Sequence, residues 1–286
     1  MTAGSMPTLT QIVRQLDQFY PPALAQEWDA VGLVAGSPQA RISKVAFAVD
    51  PVRQAVEEAI DWGADLLVVH HPLLLKAVHS VAATTYKGAI VHRLITSGCA
   101  LYTAHTNCDS AQGGSADALA EAIGMRNLAP LIPTTEPGRD PTREGLGRIG
   151  ELSAPMTLGS LASHVGRVLP PTEHGVRIAG DTDALVSKVA LVPGSGDSCF
   201  EAAREAKADV FLTADLRHHP ASEARERAEF DGRGRPYLLD VSHSASEWHW
   251  LASAARRLEQ VASEHHVRVE TLVIEAVADP WTARIA

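Results

Sequence analysis

One strand–helix–strand–helix–strand pattern occurs twice along this chain of 286 residues, and it constrains the fold more than any other feature. The apolar runs that indicate buried strands are 44–50, 64–71 and 99–106 in the first copy and 188–197, 208–215 and 235–242 in the second. Val45 and Val189 match within the sequence KVA, and Asp65 and Asp209 match within AD, both across 144 positions. A constant separation in two elements predicts an internal duplication of one βαβαβ unit, and therefore an α/β fold with two lobes.

The segments outside the two copies also carry clear signals. Apolar residues at helical spacing predict a helix over 9–19, and 246–264 is predicted to form a long helix before a last strand at 267–276. The segment Pro130–Glu144 holds four prolines and shows little periodicity. It is therefore predicted to be a linker between the copies.

Composition narrows the class of protein. The formal net charge is −9 and the 25 basic residues are dispersed, so a nucleic-acid partner is not expected. The three cysteines form no Cys-x-x-Cys pair, which favours a reducing compartment. The first residues do not have the pattern of a signal peptide, and no apolar run reaches the roughly 18 residues of a membrane span. A cytoplasmic location without membrane contact is expected.

Polar side chains with metal-ligand or acid–base chemistry follow the ends of four predicted strands, two in each copy. Ligands of parallel α/β sheets bind beyond these carboxyl ends. The residues are His70, His71, His105, Asn107 and Asp109 in the first copy, and His219, His243 and Glu247 in the second.

Three imidazoles and two carboxylates of this set are enough to hold two borderline metal ions. His243 and Glu247 are four residues apart, so a helix that begins near Ser244 places them on one face. Each feature alone has a plainer interpretation, because a His-His pair and a His-x-x-x-Glu spacing are common, and Asp109 has the context of a turn or cap residue. Their joint occurrence at strand ends of a duplicated fold favours a metal site. The predicted ligands are His70, His71, Asp109, His243 and Glu247.

The other histidines receive different roles. His105 is predicted to orient a ligand or to transfer protons, with simple packing as the alternative. His219 is a candidate acid–base group, and a solvated helix start is the alternative. The segment PGSGDS (193–198) joins a strand to a helix, where its amides can hold an anion, although a plain tight turn is favoured.

Several segments together resemble the bacterial family of GTP cyclohydrolase 1 type 2 homologues, which are NGG-interacting-factor-like dinuclear metal proteins. The resemblance covers nearly the whole chain, in the order of the family. The segments are WDAVGL (28–33), VVHHPLL (68–74), YTAHTNCDSAQGG (102–114), GLGRIG (145–150), PGSGDS (193–198), TADLRHH (213–219) and SHSASE (242–247).

The resemblance implies two interlinked, internally duplicated lobes with mostly parallel sheets, the last strand returning to the first lobe. The expected ranges are 1–128 with 265–286 for the first lobe, 129–144 for the linker and 145–264 for the second lobe. It implies the same five metal ligands, two divalent ions (Zn, Fe, Mn or Co) and a toroidal homohexamer. Ala30, Ala214, Ser242 and Ser244 depart from the residues usual in the family, which affects the shape of the pocket but not the ligands.

The function that these features favour is a metal-dependent hydrolase of a nucleotide-like substrate. The alternative is a non-enzymatic toroidal metal-binding or scaffold protein. A hydrolase requires open coordination positions and a substrate pocket with an acid–base group, whereas a structural or carrier site is closed by protein ligands.

Overall fold

The computed structural model describes residues 6–276 and 278–285. Within this range the strands are β1 (Gly32–Ala35), β2 (Lys44–Ala48), β3 (Leu66–Val69), β4 (Ala100–Thr103), β5 (Met125–Pro133), β6 (Gly145–Thr157), β7 (Arg177–Ala179), β8 (Leu185–Ser195), β9 (Val210–Ala214), β10 (Tyr237–Val241) and β11 (Glu270–Val273). The α-helices are α1 (Leu9–Phe19), α2 (Arg53–Trp62), α3 (Tyr86–Thr96), α4 (Thr106–Ser110), α5 (Ser115–Ala122), α6 (Leu158–Val168), α7 (Phe200–Glu205), α8 (His218–Phe230), α9 (His243–Glu247) and α10 (His249–Glu264). The predicted alternation of strands and helices is confirmed.

The first compact unit contains a five-stranded sheet in the order β1-β4-β3-β2-β11. The strands β4, β3, β2 and β11 are mutually parallel, and β1 pairs with β4 antiparallel at the edge. Every residue of β3 and β4 is buried, as expected for parallel strands covered on both faces. The chain direction therefore brings the carboxyl ends of β3 and β4 to the same edge of the sheet.

The second unit contains a six-stranded sheet in the order β5-β6-β8-β9-β10-β7. Its centre, β8-β9-β10, is parallel, whereas β5, β6 and β7 pair antiparallel on either side. The carboxyl ends of β8, β9 and β10 are therefore adjacent. The α/β architecture with parallel strands at the centre of both sheets is confirmed.

The lysine and aspartate residues that match across 144 positions make equivalent hydrogen bonds in the two units. One carboxylate oxygen of Asp65 accepts a hydrogen bond from the Lys44 amide at 2.9 Å, and Asp209 accepts from the Lys188 amide at 2.9 Å. The Lys44 and Lys188 ammonium groups donate to the helix-end carbonyls of Trp62 and Ala206, at 3.0 and 2.7 Å. Identical bonds at equivalent positions are consistent with the predicted internal duplication.

The predicted linker is wrong in its first part. Residues up to Pro133 belong to β5, which pairs with β6 in a register that places Pro130 opposite Arg148. Because β5 is the edge strand of its sheet, a proline there costs no ladder hydrogen bond on the open side. The prolines therefore mark an edge strand and the turn after it.

The observed limits of the units differ from the predicted ones. The first unit comprises Met1–Cys108 and Leu251–Ala278, and the second comprises Asp109–Trp250 and Asp279–Ala286. Helix α5 belongs to the second unit because Ala116 and Leu119 pack in its hydrophobic core. The predicted boundaries at 128 and 264 are therefore displaced by about one helix each.

Candidate functional site

Three imidazoles cluster at the carboxyl ends of β3 and β4 in the first unit. His70 and His71 follow β3 directly, and His105 follows β4. The ring centroids lie 5.0 Å apart for His70 and His71, 5.2 Å for His70 and His105, and 5.5 Å for His71 and His105. One nitrogen of each ring lies within 4.8 Å of the other two, which is a spacing at which imidazoles can share a metal ion.

An oxygen acceptor fixes the orientation of each of these rings. The Nδ1 of His70 lies 2.8 Å from the Ala104 carbonyl oxygen, that of His71 lies 2.7 Å from Asp50, and that of His105 lies 2.8 Å from Asp29. Carbonyl and carboxylate oxygens only accept, so each Nδ1 carries the proton. In a neutral ring, Nε2 then has the lone pair that a metal ion or a substrate proton needs.

The partner of His105 is a buried carboxylate that accepts four hydrogen bonds from the protein. Asp29 accepts hydrogen bonds from the Ala30 amide (2.7 Å), the Thr106 amide (3.0 Å), the Thr106 hydroxyl and His105. Burial disfavours the charged form, but the bonds from His105 and Thr106 outweigh it and hold the pKa of Asp29 well below its usual range. Asp29 therefore remains ionised throughout the physiological range and keeps a negative charge against the His105 ring.

The second unit places an imidazole and a carboxylate in direct contact. His243 and Glu247 lie one turn apart on α9, with His243 Nε2 3.0 Å from Glu247 Oε1. His243 Nδ1 lies 2.7 Å from Asp215, which follows β9. Burial alone would lower the pKa of His243, but the charge of Glu247 and the hydrogen bond with Asp215 raise it to about 11. The pair fits a divalent cation, which can take the place of the Nε2 proton between the nitrogen and the carboxylate.

The helix that carries this pair differs from the predicted one in its limits. The sequence predicts the long helix at 246–264 and a helix start near Ser244. The structure begins α9 at His243 and separates it from α10 at Trp248. The predicted single face for His243 and Glu247 is nevertheless present, because both residues lie within α9.

Asp109 and His219 lie in different surroundings. Asp109 is buried in α4, and one of its oxygens accepts a hydrogen bond from the Ser115 hydroxyl. His219 is exposed in the first turn of α8, where its ring contacts that of His218 at 5.1 Å between centroids. Among the described residues, no group of three converging ligand atoms includes either of them.

Sequence reasoning missed the carboxylates that orient the imidazoles. The observed N-cap of α2 is Val52, and the Asp50 side chain is hydrogen-bonded to His71 instead. Asp50 and Asp215 follow β2 and β9, so their positions beyond strand ends were a usable signal. Asp29 lies in a loop before β1, and only the WDAVGL segment draws attention to it.

A cavity of about 510 Å³ lies beside His71 in the first unit. Its lining includes both members of the His71–Asp50 pair together with residues of α2 and α3. The lining combines apolar side chains with four charged ones, which are Arg53, Glu57, Lys87 and Arg93. The volume lies in the range of small-molecule pockets, roughly 300–1,000 Å³.

Two duplicated α/β units with imidazole and carboxylate groups at the ends of parallel strands define a candidate metal-binding α/β protein. The sequence matches the family model of Duf34/NIF3 (NGG1p interacting factor 3) over residues 7–280. The chain therefore belongs to the Duf34/NIF3 family, and the resemblance drawn from its motifs is confirmed.

Relatives and solved structures agree with this assignment. A Streptomyces coelicolor protein named GTP cyclohydrolase 1 type 2 homolog is 46% identical over 281 residues, covering 98% of this chain and 96% of its own length. A Bacillus cereus protein related to NIF3 has the same fold, with a TM-score of 0.88 at 24% identity, covering 98% of this chain and 100% of that one. Staphylococcus aureus protein SA1388 has a TM-score of 0.85 at 25% identity, covering 97% and 99%. In the described part of the chain, no helix is both long and apolar enough to cross a membrane.

Proposed function

We propose that this chain binds two divalent transition-metal ions through His70, His71, Asp109, His243 and Glu247. Three observations support the proposal. The rings of His70 and His71 are held in the tautomer that presents Nε2, His243 and Glu247 are in contact, and Glu247 is buried with only 2% of its surface exposed. Imidazole and carboxylate ligands suit Zn, Fe, Mn or Co.

We further propose that the protein is a metal-dependent hydrolase acting on a nucleotide-like substrate. Its relatives carry the name GTP cyclohydrolase 1 type 2 homolog, and the cavity beside His71 has the size of a small-molecule pocket. When bound, a divalent ion polarises a substrate oxygen and makes water a stronger acid. A metal site that is closed by protein ligands does not require a substrate pocket. The cavity beside His71 is therefore the single observation that favours the hydrolase over the scaffold alternative.

His105 is the proposed acid–base group, and its surroundings support that role. The ring donates from Nδ1 to Asp29, so a proton taken from water or substrate enters at Nε2. The resulting imidazolium faces a carboxylate that stays ionised, which stabilises it in the way that an aspartate stabilises the histidine of a catalytic triad. His219 is the second candidate, with an exposed ring able to exchange protons with solvent.

From the family resemblance, we propose that the protein is a cytoplasmic homohexamer. Sedimentation velocity is expected to give a single species with six times the mass of one chain, and a monomer or dimer at micromolar concentration would contradict it.

The hydrolase proposal is tested by turnover. Protein loaded separately with Zn, Fe(II), Mn or Co is incubated with GTP and a panel of phosphoesters, and ring opening and phosphate release are followed. Because His105 is not one of the five proposed ligands, His105→Ala is expected to keep its metal and to lose roughly 100-fold or more of the rate, the usual contribution of acid–base catalysis. The control is His92→Ala, an exposed histidine of α3, which should turn over like wild type. Full metal loading without turnover of any substrate would favour the carrier or scaffold alternative.

A further inference from the structure

Gly194 lies where the second unit brings its candidate ligands together. It is the penultimate residue of β8, within the PGSGDS segment, and its φ of +66° is in the left-handed region that favours glycine. Strands β8, β9 and β10 are parallel neighbours, so their carboxyl ends meet at one edge of the sheet. Gly194 therefore shares that edge with the start of α9, which carries His243 and Glu247.

Two buried hydroxyls fix the backbone of Gly194 in this position. Its amide donates to the Ser246 hydroxyl at 2.8 Å, and its carbonyl accepts from the Thr213 hydroxyl at 2.9 Å. The Ser246 hydroxyl in turn donates to the carbonyl of His243 at 2.7 Å. Because Ser246 and Thr213 are both fully buried, the end of β8 is bound directly to the helix turn that carries the ligands. The Gly194 amide is occupied by this bond and is therefore not available to an anion.

A side chain at position 194 would occupy the place where the two ligand atoms converge. A Cβ built there lies 2.6 Å from Glu247 Oε1 and 3.0 Å from His243 Nε2, the two atoms that are 3.0 Å apart. The first distance is shorter than real Cβ contacts, so a carboxylate that is itself buried would have to move. An alanine would therefore separate the nitrogen and oxygen that are proposed to hold one cation.

We propose that Gly194 is a positioning residue of the His243–Glu247 ligand pair. The absence of its side chain provides the space in which the imidazole and the carboxylate meet, and its backbone bonds hold α9 at that distance. This inference rests on the proposed function, in that it takes His243 and Glu247 as metal ligands. No contact between Gly194 and the metal ion is required.

The experiment compares Gly194→Ala with Gly124→Ala in the full chain. Gly124 follows α5 in the same unit, has a φ of +80° and has no atom within 4 Å of a built Cβ. The control therefore carries the same backbone strain without the steric conflict. Metal-free proteins are titrated with Co(II), and the dissociation constant and the d–d absorption spectrum are measured.

Gly194→Ala is expected to bind Co(II) at least about tenfold more weakly than wild type, with an altered spectrum, as for other changes that displace a metal ligand. Gly124→Ala is expected to match wild type in both. Equal affinities and spectra for Gly194→Ala and Gly124→Ala would overturn the inference.

A second measurement keeps the test decisive if Gly194→Ala folds poorly. Glu247→Ala removes the carboxylate that a Cβ at 194 would strike. In that background, Gly194→Ala should lower the melting temperature no more than Gly124→Ala does. An equally large loss in both backgrounds would show that the side chain of Glu247 is not what the alanine displaces, and would overturn the inference.

A different result would contradict the proposed function rather than the role of Gly194. If wild type binds no Co(II), or if Glu247→Ala binds it as wild type does, the ligand assignment is wrong. The melting temperatures still report whether Gly194 provides the space for the Glu247 side chain.

Discussion

Replacement of Asp29 by asparagine is a direct probe of the network that orients His105. Four donors converge on the two oxygens of Asp29: the Ala30 amide and His105 Nδ1 on one, and the Thr106 amide and hydroxyl on the other. An asparagine keeps one oxygen and turns the other position into a donor. Two of the four hydrogen bonds are then lost or become donor–donor contacts.

The cost follows from the charge of the acceptor. Hydrogen bonds to a charged group contribute about 1.5–3 kcal/mol each, so losing two lowers the free energy of unfolding by roughly 3–6 kcal/mol at pH 7. The matched control is Asp140→Asn. That exposed carboxylate also accepts from a backbone amide and a threonine hydroxyl, both of Thr142, and its loss should change stability far less.

The effect of Asp29→Asn should depend on pH in a defined direction. The pKa of Asp29 is depressed in the folded chain, whereas an unfolded aspartate titrates near about 3.9. Its stabilising contribution is therefore complete above the unfolded pKa and is lost as the pH falls toward the folded pKa. The difference in stability between wild type and Asp29→Asn should be the same at pH 7 and pH 5 and smaller at pH 3.

Urea unfolding followed by circular dichroism measures these differences. A stability for Asp29→Asn equal to that of wild type at pH 7 would refute the reasoning. A difference that grows between pH 5 and pH 3 would refute the assignment of the depressed pKa.

Two further predictions concern other side chains. Asp50→Asn should weaken Co(II) binding by about 10–100-fold because His71 loses its charged partner, while Glu57→Gln, which disrupts an exposed ion pair, should not. Unchanged Co(II) affinity in Asp50→Asn would contradict the role of that carboxylate. Burial raises the pKa of the Cys99 thiol to about 12, and all three cysteines are buried, so Ellman's reagent at pH 8 should label none in the native chain and three in urea. Rapid labelling of Cys99 in the native chain would contradict its burial.

The parts of the fold that the sequence predicts well are those with local signals. The parallel strands β2, β3, β8 and β9 each contain a short apolar run, and helix α2 is capped by Gly63, whose φ of +81° suits a helix end. Strand β5 was missed because it exists only by pairing with β6, a partner that local periodicity cannot reveal. The limits of the units were displaced for the same reason, since α5 is assigned by the core it joins.

The candidate site likewise has some residues that the sequence predicts and others that only the tertiary structure reveals. Histidines at strand ends are visible in the sequence, because chain direction alone fixes which edge of a parallel sheet they occupy. Their carboxylate partners depend on loop conformation, as with Asp29 and His105, which are 76 residues apart in the chain. The sequence also does not predict that Gly194 lies against the His243–Glu247 pair, because it shows a glycine turn but not which side chains approach that turn.

Metal content per chain tests the central claim most directly. Elemental analysis is made on gently purified wild type, on the double variant His70→Ala, Glu247→Ala, and on a control with the exposed His79→Ala and Glu264→Ala. Circular dichroism checks that each variant is folded. About two transition-metal ions per chain are expected in wild type and control, and their loss is expected in the double variant. No metal in wild type, or equal metal in a folded double variant, would contradict it.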